Sequence, residues 1–191
     1  MAVCVALPAR AEEIRDWPCE APLAERFVAE EVWGGPLPAP LPTDWRQHGA
    51  AAQAVAFAAS PENRPTAGAA AIADLAAGLG AERQDVLLAV FAGLLDEFNT
   101  LRDYVIGGVR DFVVRAKILQ EAIDANEAAL AALPQAGGPE VEQRRVGYRE
   151  ARAFDARTQD DALEEAEFLC RRYAYLEEKL RHLADAIRSA L

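Results

Sequence analysis

The sequence predicts an all-α fold: a long antiparallel two-helix hairpin, coiled-coil-like, with short N-terminal helices packed on its base. Three observations predict it. Apolar residues over 82–133, and again over 140–190, recur at three- and four-residue spacing, the period of a helix face that meets a neighbour. Between the two runs, Pro134-Gln135-Ala136-Gly137-Gly138-Pro139 has the composition of a turn. No stretch alternates apolar and polar residues over a strand's length with β-branched residues and flanking turn signals.

A chain of 191 residues is long enough to bury a core of its own. Its apolar content of 52% is rich in Ala, which suits close helix packing. The net charge of −11 is spread along the chain, so polynucleotides and anionic lipid surfaces are poor partners. No apolar run reaches the roughly 18–20 residues that span a bilayer. The longest charge-free apolar stretch of the hairpin, Val86 to Leu95, reads as a buried helix segment.

From the N-terminus, residues 1–11 form an apolar stub ending in Ala9-Arg10-Ala11. That small-x-small ending fits signal-peptidase cleavage before Glu12. The stub lacks a charged n-region, so it reads as the remnant of a signal peptide whose start lies upstream. Removing it takes Cys4 away and leaves Cys19 and Cys170, the arithmetic of one disulfide in an exported chain. The rival reading is a pair of buried free thiols. A Cys19–Cys170 bond closes a loop of about 150 residues and contributes about 4–5 kcal/mol in the chain-entropy account.

Ala21 to Trp33 has the pattern of a short helix with Leu23, Phe27 and Val28 on one side, stopped by Gly34-Gly35. Pro36, Pro38, Pro40 and Pro42 then impose an extended strap. Thr43 or Asp44 can cap a helix carrying Trp45 and continuing over 49–60. Thr66 can cap another to about Leu79, with Ile72 and Leu75 on its apolar face. These helices are too short to stand alone and must pack on something larger.

That something is the hairpin. In its first run Leu87, Phe91, Leu94, Phe98, Leu101 and Val105 form a heptad seam, continued by Val109, Phe112, Ala116, Leu119 and Ile123. The step from Val105 to Val109 repeats a four, a stutter that falls at Gly107-Gly108. It predicts a bend there, or close approach of a neighbouring helix. The second run is polar over 140–162 and apolar at Leu169, Tyr173, Leu176, Leu180, Leu183 and Ile187. Folding one run on the other predicts a helical base, Val86–Val105 against Phe168–Ile187, with a polar stalk beyond it. At 1.5 Å per residue a fifty-residue helix is about 75 Å long, more than a core of this size requires. The chain thus divides into the stub at 1–11, a Pro- and Trp-rich segment at 12–65, and a helical domain at 66–191.

Chemistry-bearing motifs are sparse. There is no Glu-x-x-His for a bundle di-metal site, no nucleophile elbow around Ser60 or Ser189, and no strand-to-helix glycine loop for phosphate. Glu178, His182 and Asp185 share a helix face that could hold a weakly bound ion, but a solvated histidine beside two acids is the plainer reading. No catalytic residue, cofactor or metal is expected. Trp17, Trp33 and Trp45 all lie in the N-terminal third, where they either anchor the strap or line a groove for a small ligand.

The Trp17-Pro18-Cys19 element after a cleavable N-terminus, with a second cysteine late in a helical chain, resembles small uncharacterised exported proteins of Gram-negative bacteria. The resemblance covers a few residues and a general layout. It implies a periplasmic setting and carries no catalytic residues over. The expectation is a non-enzymatic periplasmic adaptor or accessory subunit. It would bind a protein partner through the stalk, at Arg144, Arg145, Tyr148, Arg149 and Arg152. The alternative is a periplasmic small-ligand or metal-ion binding protein.

Overall fold

The computed structural model describes residues 17–24 and 26–191. The stub, the Glu12 cleavage point and Cys4 lie outside the described residues. Those described are helical, without strands: α1 (Ala29–Trp33), a 3₁₀ turn (Trp45–Gln47), α2 (Gly49–Ala59), α3 (Pro65–Gly78), α4 (Arg83–Ala132) and α5 (Pro139–Ala190). The hairpin is therefore present, and its two arms are single helices of 50 and 52 residues. The chain divides into two compact units. A two-helix unit takes the chain to Leu23 together with Ile106–Arg171, and a multi-helix unit takes Ala24–Val105 with Arg172–Leu191.

In the multi-helix unit the predicted seam is the core. Leu87, Phe91, Leu94, Phe98, Tyr173, Leu180, Leu183 and Ile187 are fully enclosed. Every residue from Val86 to Leu95 is buried, because the short helices cover the side of α4 that α5 leaves open. Trp33 lays its ring against Phe91, centroids 4.9 Å apart. Gly93 lets α2 and the 3₁₀ turn approach closely: a Cβ there would stand 2.6 Å from Val55 and 2.8 Å from Trp45.

The N-terminal strap of this unit is held by side chains of the hairpin. Asn99 accepts the Phe27 N–H at 2.8 Å and donates to the Phe27 carbonyl at 3.2 Å. The Tyr173 hydroxyl accepts the Ala24 N–H at 2.9 Å, and Arg188 donates to the Trp33 carbonyl. These bonds explain why the helix predicted from Ala21 is confined to Ala29–Trp33. Backbone groups that a longer helix would pair internally are taken by Asn99 and Tyr173 instead, and buried backbone groups need a partner of some kind. Gly34 ends α1 in the left-handed region, φ 77°, its N–H donating to the Glu30 carbonyl, the expected role of a glycine stop.

Two caps differ from expectation. α3 begins at Pro65 after an extended Arg64, so proline at the first helical position, not Thr66, starts it. The segment around Trp45 is a 3₁₀ turn after Asp44, and neither Asp44 nor the residue before α2 caps with its side chain.

In the two-helix unit, α4 and α5 run antiparallel. Val109, Ala116, Ile123, Ala162 and Ala166 are buried between them. Both amides and an ion pair cross between the two helices. Gln159 donates to the Ala116 carbonyl and to Gln120 Oε1, and Asn126 donates to Asp155. Arg152 reaches Glu127 across the pair at 2.6 Å, whereas Arg145–Glu142 and Arg171–Glu167 close within α5. Helix α4 continues through Gly107-Gly108 without interruption. Of the two readings of that dipeptide, close approach is the one the structure bears out: a Cβ on Gly108 would stand 2.7 Å from Leu169 Cδ1.

Candidate functional site

Cys19 and Cys170 are bonded, with Cα atoms 5.1 Å apart across a sequence separation of 151. Both belong to the two-helix unit, so the bond fastens residues 17–23 to the α4–α5 pair. Among these residues Trp17 donates its indole N–H to the Ala21 carbonyl, which folds the segment back on itself.

The three tryptophans do not share one groove: of the three, Trp45 alone borders a described surface cleft, with Val55, Ala56 and Leu101. Trp33 and Trp45 are buried in the multi-helix unit, where they supply large apolar area to the core. Arg46 covers the Trp45 ring at 4.2 Å and pairs with Asp96 and Glu97 at the surface. Surface clefts beside these residues are walled chiefly by alkyl groups of Val55, Ala56, Ala59, Leu95 and Leu101.

Two cations are buried in this unit. Lys179 is 1% exposed and donates to the carbonyls of Ser60 at 2.7 Å and Asn63 at 2.9 Å. Those carbonyls follow the C-terminal end of α2, where the helix dipole favours a cation. Burial pushes the Lys179 ammonium below its usual range, because desolvation penalises the charged form. Arg102 pairs with Asp103 at 2.6 Å, and its Nε–H finds no acceptor. Lys179 fastens a loop to α5, a structural task. Glu178, His182 and Asp185 are all exposed, and the Asp185 carboxylate is taken by Arg188. Among the described residues no three His, Cys, Asp or Glu side chains gather as metal ligands. No described helix is long and apolar enough to cross a membrane.

The residues proposed for partner binding sort into two kinds. Arg145 donates to Glu142 and, at 2.8 Å, to the Pro134 carbonyl that follows α4. Arg152 holds Glu127. These two close the hairpin itself, a task that residue type alone does not reveal. Tyr148 is half-buried, while Arg144 and Arg149 stand exposed on α5.

The same unit has a feature that the heptad count did not single out. The two-helix unit buries Ile106, Val109, Ile123 and three alanines and leaves other large residues outside: Phe154 is 62% exposed, Ile118 59%, Val114 54% and Phe168 51%. Val114 and Ile118 are one turn apart on α4, and Phe154 and Phe168 are two heptads apart on α5, so each pair shares a helix face. An ordered set of large exposed apolar side chains marks contact surface more often than scattered ones do. A count of residues excluded from the seam would have found them. Compared with family models, curated proteins and solved structures, the chain matches none.

Proposed function

We propose that this chain is a non-enzymatic periplasmic helical protein, an adaptor or accessory subunit that docks a protein partner through its two-helix unit. The observation that carries the reading is the outward display of Val114, Ile118, Phe154 and Phe168 from a unit of only two helices. Covering such a side chain is worth about 1.5–3 kcal/mol, so four of them supply a useful fraction of a binding energy. Arg144 and Arg149, exposed on the same unit, add positive charge to its surface. A disulfide linking residues 151 apart supports an oxidising compartment, in keeping with the periplasmic setting.

The test is a photo-crosslinking residue placed at Ile118 or Phe154 of the full chain, expressed in its own cell, with exposed Glu178 of the other unit as control. Discrete adducts from the first two positions are expected. Adducts no more abundant than those from position 178 would overturn the reading.

A further inference from the structure

We infer that the outward face of α5 in the two-helix unit pairs with the same face of a second copy of this chain, antiparallel and centred on Asp161. The inference rests on the reading of this unit as a docking element and names the occupant of one of its faces.

Phe154 and Phe168 lie seven residues either side of Asp161, and Arg157 and Glu165 lie four either side. All five are exposed. On a helix these offsets keep them on one stripe, since seven residues return to the same face within about 20°. A two-fold axis through Asp161 therefore brings Phe154 of one copy onto Phe168 of the other, and Arg157 onto Glu165, each twice. That is the self-complementarity an isologous interface demands.

Charge along the helix follows the same symmetry. On the stripe itself the basic Arg157 precedes the centre and the acidic Glu165 follows it, while Arg145 and Arg152 are taken within the hairpin. Antiparallel superposition lays Arg157 of each copy against Glu165 of the other. Parallel superposition would set like against like. A partner unrelated to this chain has no need of a stripe that reads the same from both ends.

One position opposes the pairing. Asp161 meets its own copy on the axis, so like charges face each other there. This feature makes the arrangement separable from other modes of association. Asp161→Asn should tighten the dimer by about threefold to tenfold, whereas charge removal at random on an acidic surface should not act through one position.

The experiment is sedimentation equilibrium on the intact, oxidised chain. A dimer is expected. Arg157→Glu and Glu165→Arg should each weaken it about tenfold or more, because each places like charges in both symmetric pairs. Mixing the two variants should restore a dimer, since opposite charges then meet in both pairs. That recovery also shows that the single variants are folded. A wild-type chain that stays monomeric at several hundred micromolar would overturn the inference, as would a dimer indifferent to the swap or to mixing. If the chain is monomeric but Phe154 crosslinks to a different protein, self-pairing falls and the docking reading stands. If neither is seen, both fall.

Discussion

Phe91 and Phe98 on α4 of the multi-helix unit are closed off from water on every side, while Phe154 and Phe168 on α5 of the two-helix unit stand more than half in solvent. The residue type is the same and so is the helical setting. What differs is the number of neighbours available. In the multi-helix unit three short helices and a strap cover much of what α4 and α5 do not cover for each other, though Tyr104 stays exposed. In the two-helix unit each helix has one partner, and one partner hides only a stripe about a third of the way round. A large apolar residue outside that stripe has no intramolecular reason to be apolar, which is why the same side chain is core in one unit and candidate contact surface in the other.

The sharpest way to break this contrast is truncation. Phe91→Ala should lower stability by about 3–5 kcal/mol, the range for emptying a packed aromatic site. Phe154→Ala should change it by no more than about 0.5 kcal/mol in the isolated monomer. Chemical denaturation of both variants at low protein concentration checks the pair, and a large loss at Phe154 would show that it packs within its own chain.

The disulfide comes next. Replacing Cys19 and Cys170 together by Ser should cost about 2–5 kcal/mol. Because both cysteines lie in the two-helix unit, the loss should appear first as faster amide exchange in 17–23 and the α5 segment around Cys170. Exchange rising first in the multi-helix unit would contradict that placement.

Asn99→Leu tests how the strap is held. It leaves the buried N–H and carbonyl of Phe27 without their partner, at about 1–3 kcal/mol. A loss no greater than a surface substitution gives would mean that apolar packing alone positions the strap.

The smallest effect separates two adjacent glycines. Around Gly107 a Cβ meets nothing within 4 Å, whereas at Gly108 it meets Leu169. Gly107→Ala should therefore stabilise by roughly 0.8–1 kcal/mol, the helix-propensity difference. Gly108→Ala should gain less, since Leu169 must move aside. Equal thermal shifts for the two variants would remove the close approach as the reason for the second glycine.

Much of the scaffold was readable from spacing alone. Leu87, Phe91, Leu94 and Phe98 announce a buried helix face because 3.6 residues per turn is a local property of the backbone. The Pro134–Pro139 turn and the Gly34 stop are local for the same reason. The helix expected from Ala21 was misread because its apolar pattern is genuine, yet its backbone is claimed by Asn99 and Tyr173, 72 and 149 residues distant in sequence. Of the five residues proposed for binding, Arg145 and Arg152 turned out to close the hairpin on Pro134 and Glu127. An arginine's partner depends on which helix lies opposite, and that is not written in its own neighbourhood.

By itself, then, the sequence determined which segments are helical, where the hairpin turns, which faces are apolar and that two cysteines were available to pair. Those follow from dihedral preference, periodicity and counting, all of which act within a few turns of the chain. Only the tertiary structure decided which apolar residues are covered and which are left exposed. Coverage depends on how many helices reach a given stretch of α4 and α5, and that number is a property of the assembled chain rather than of any residue in it.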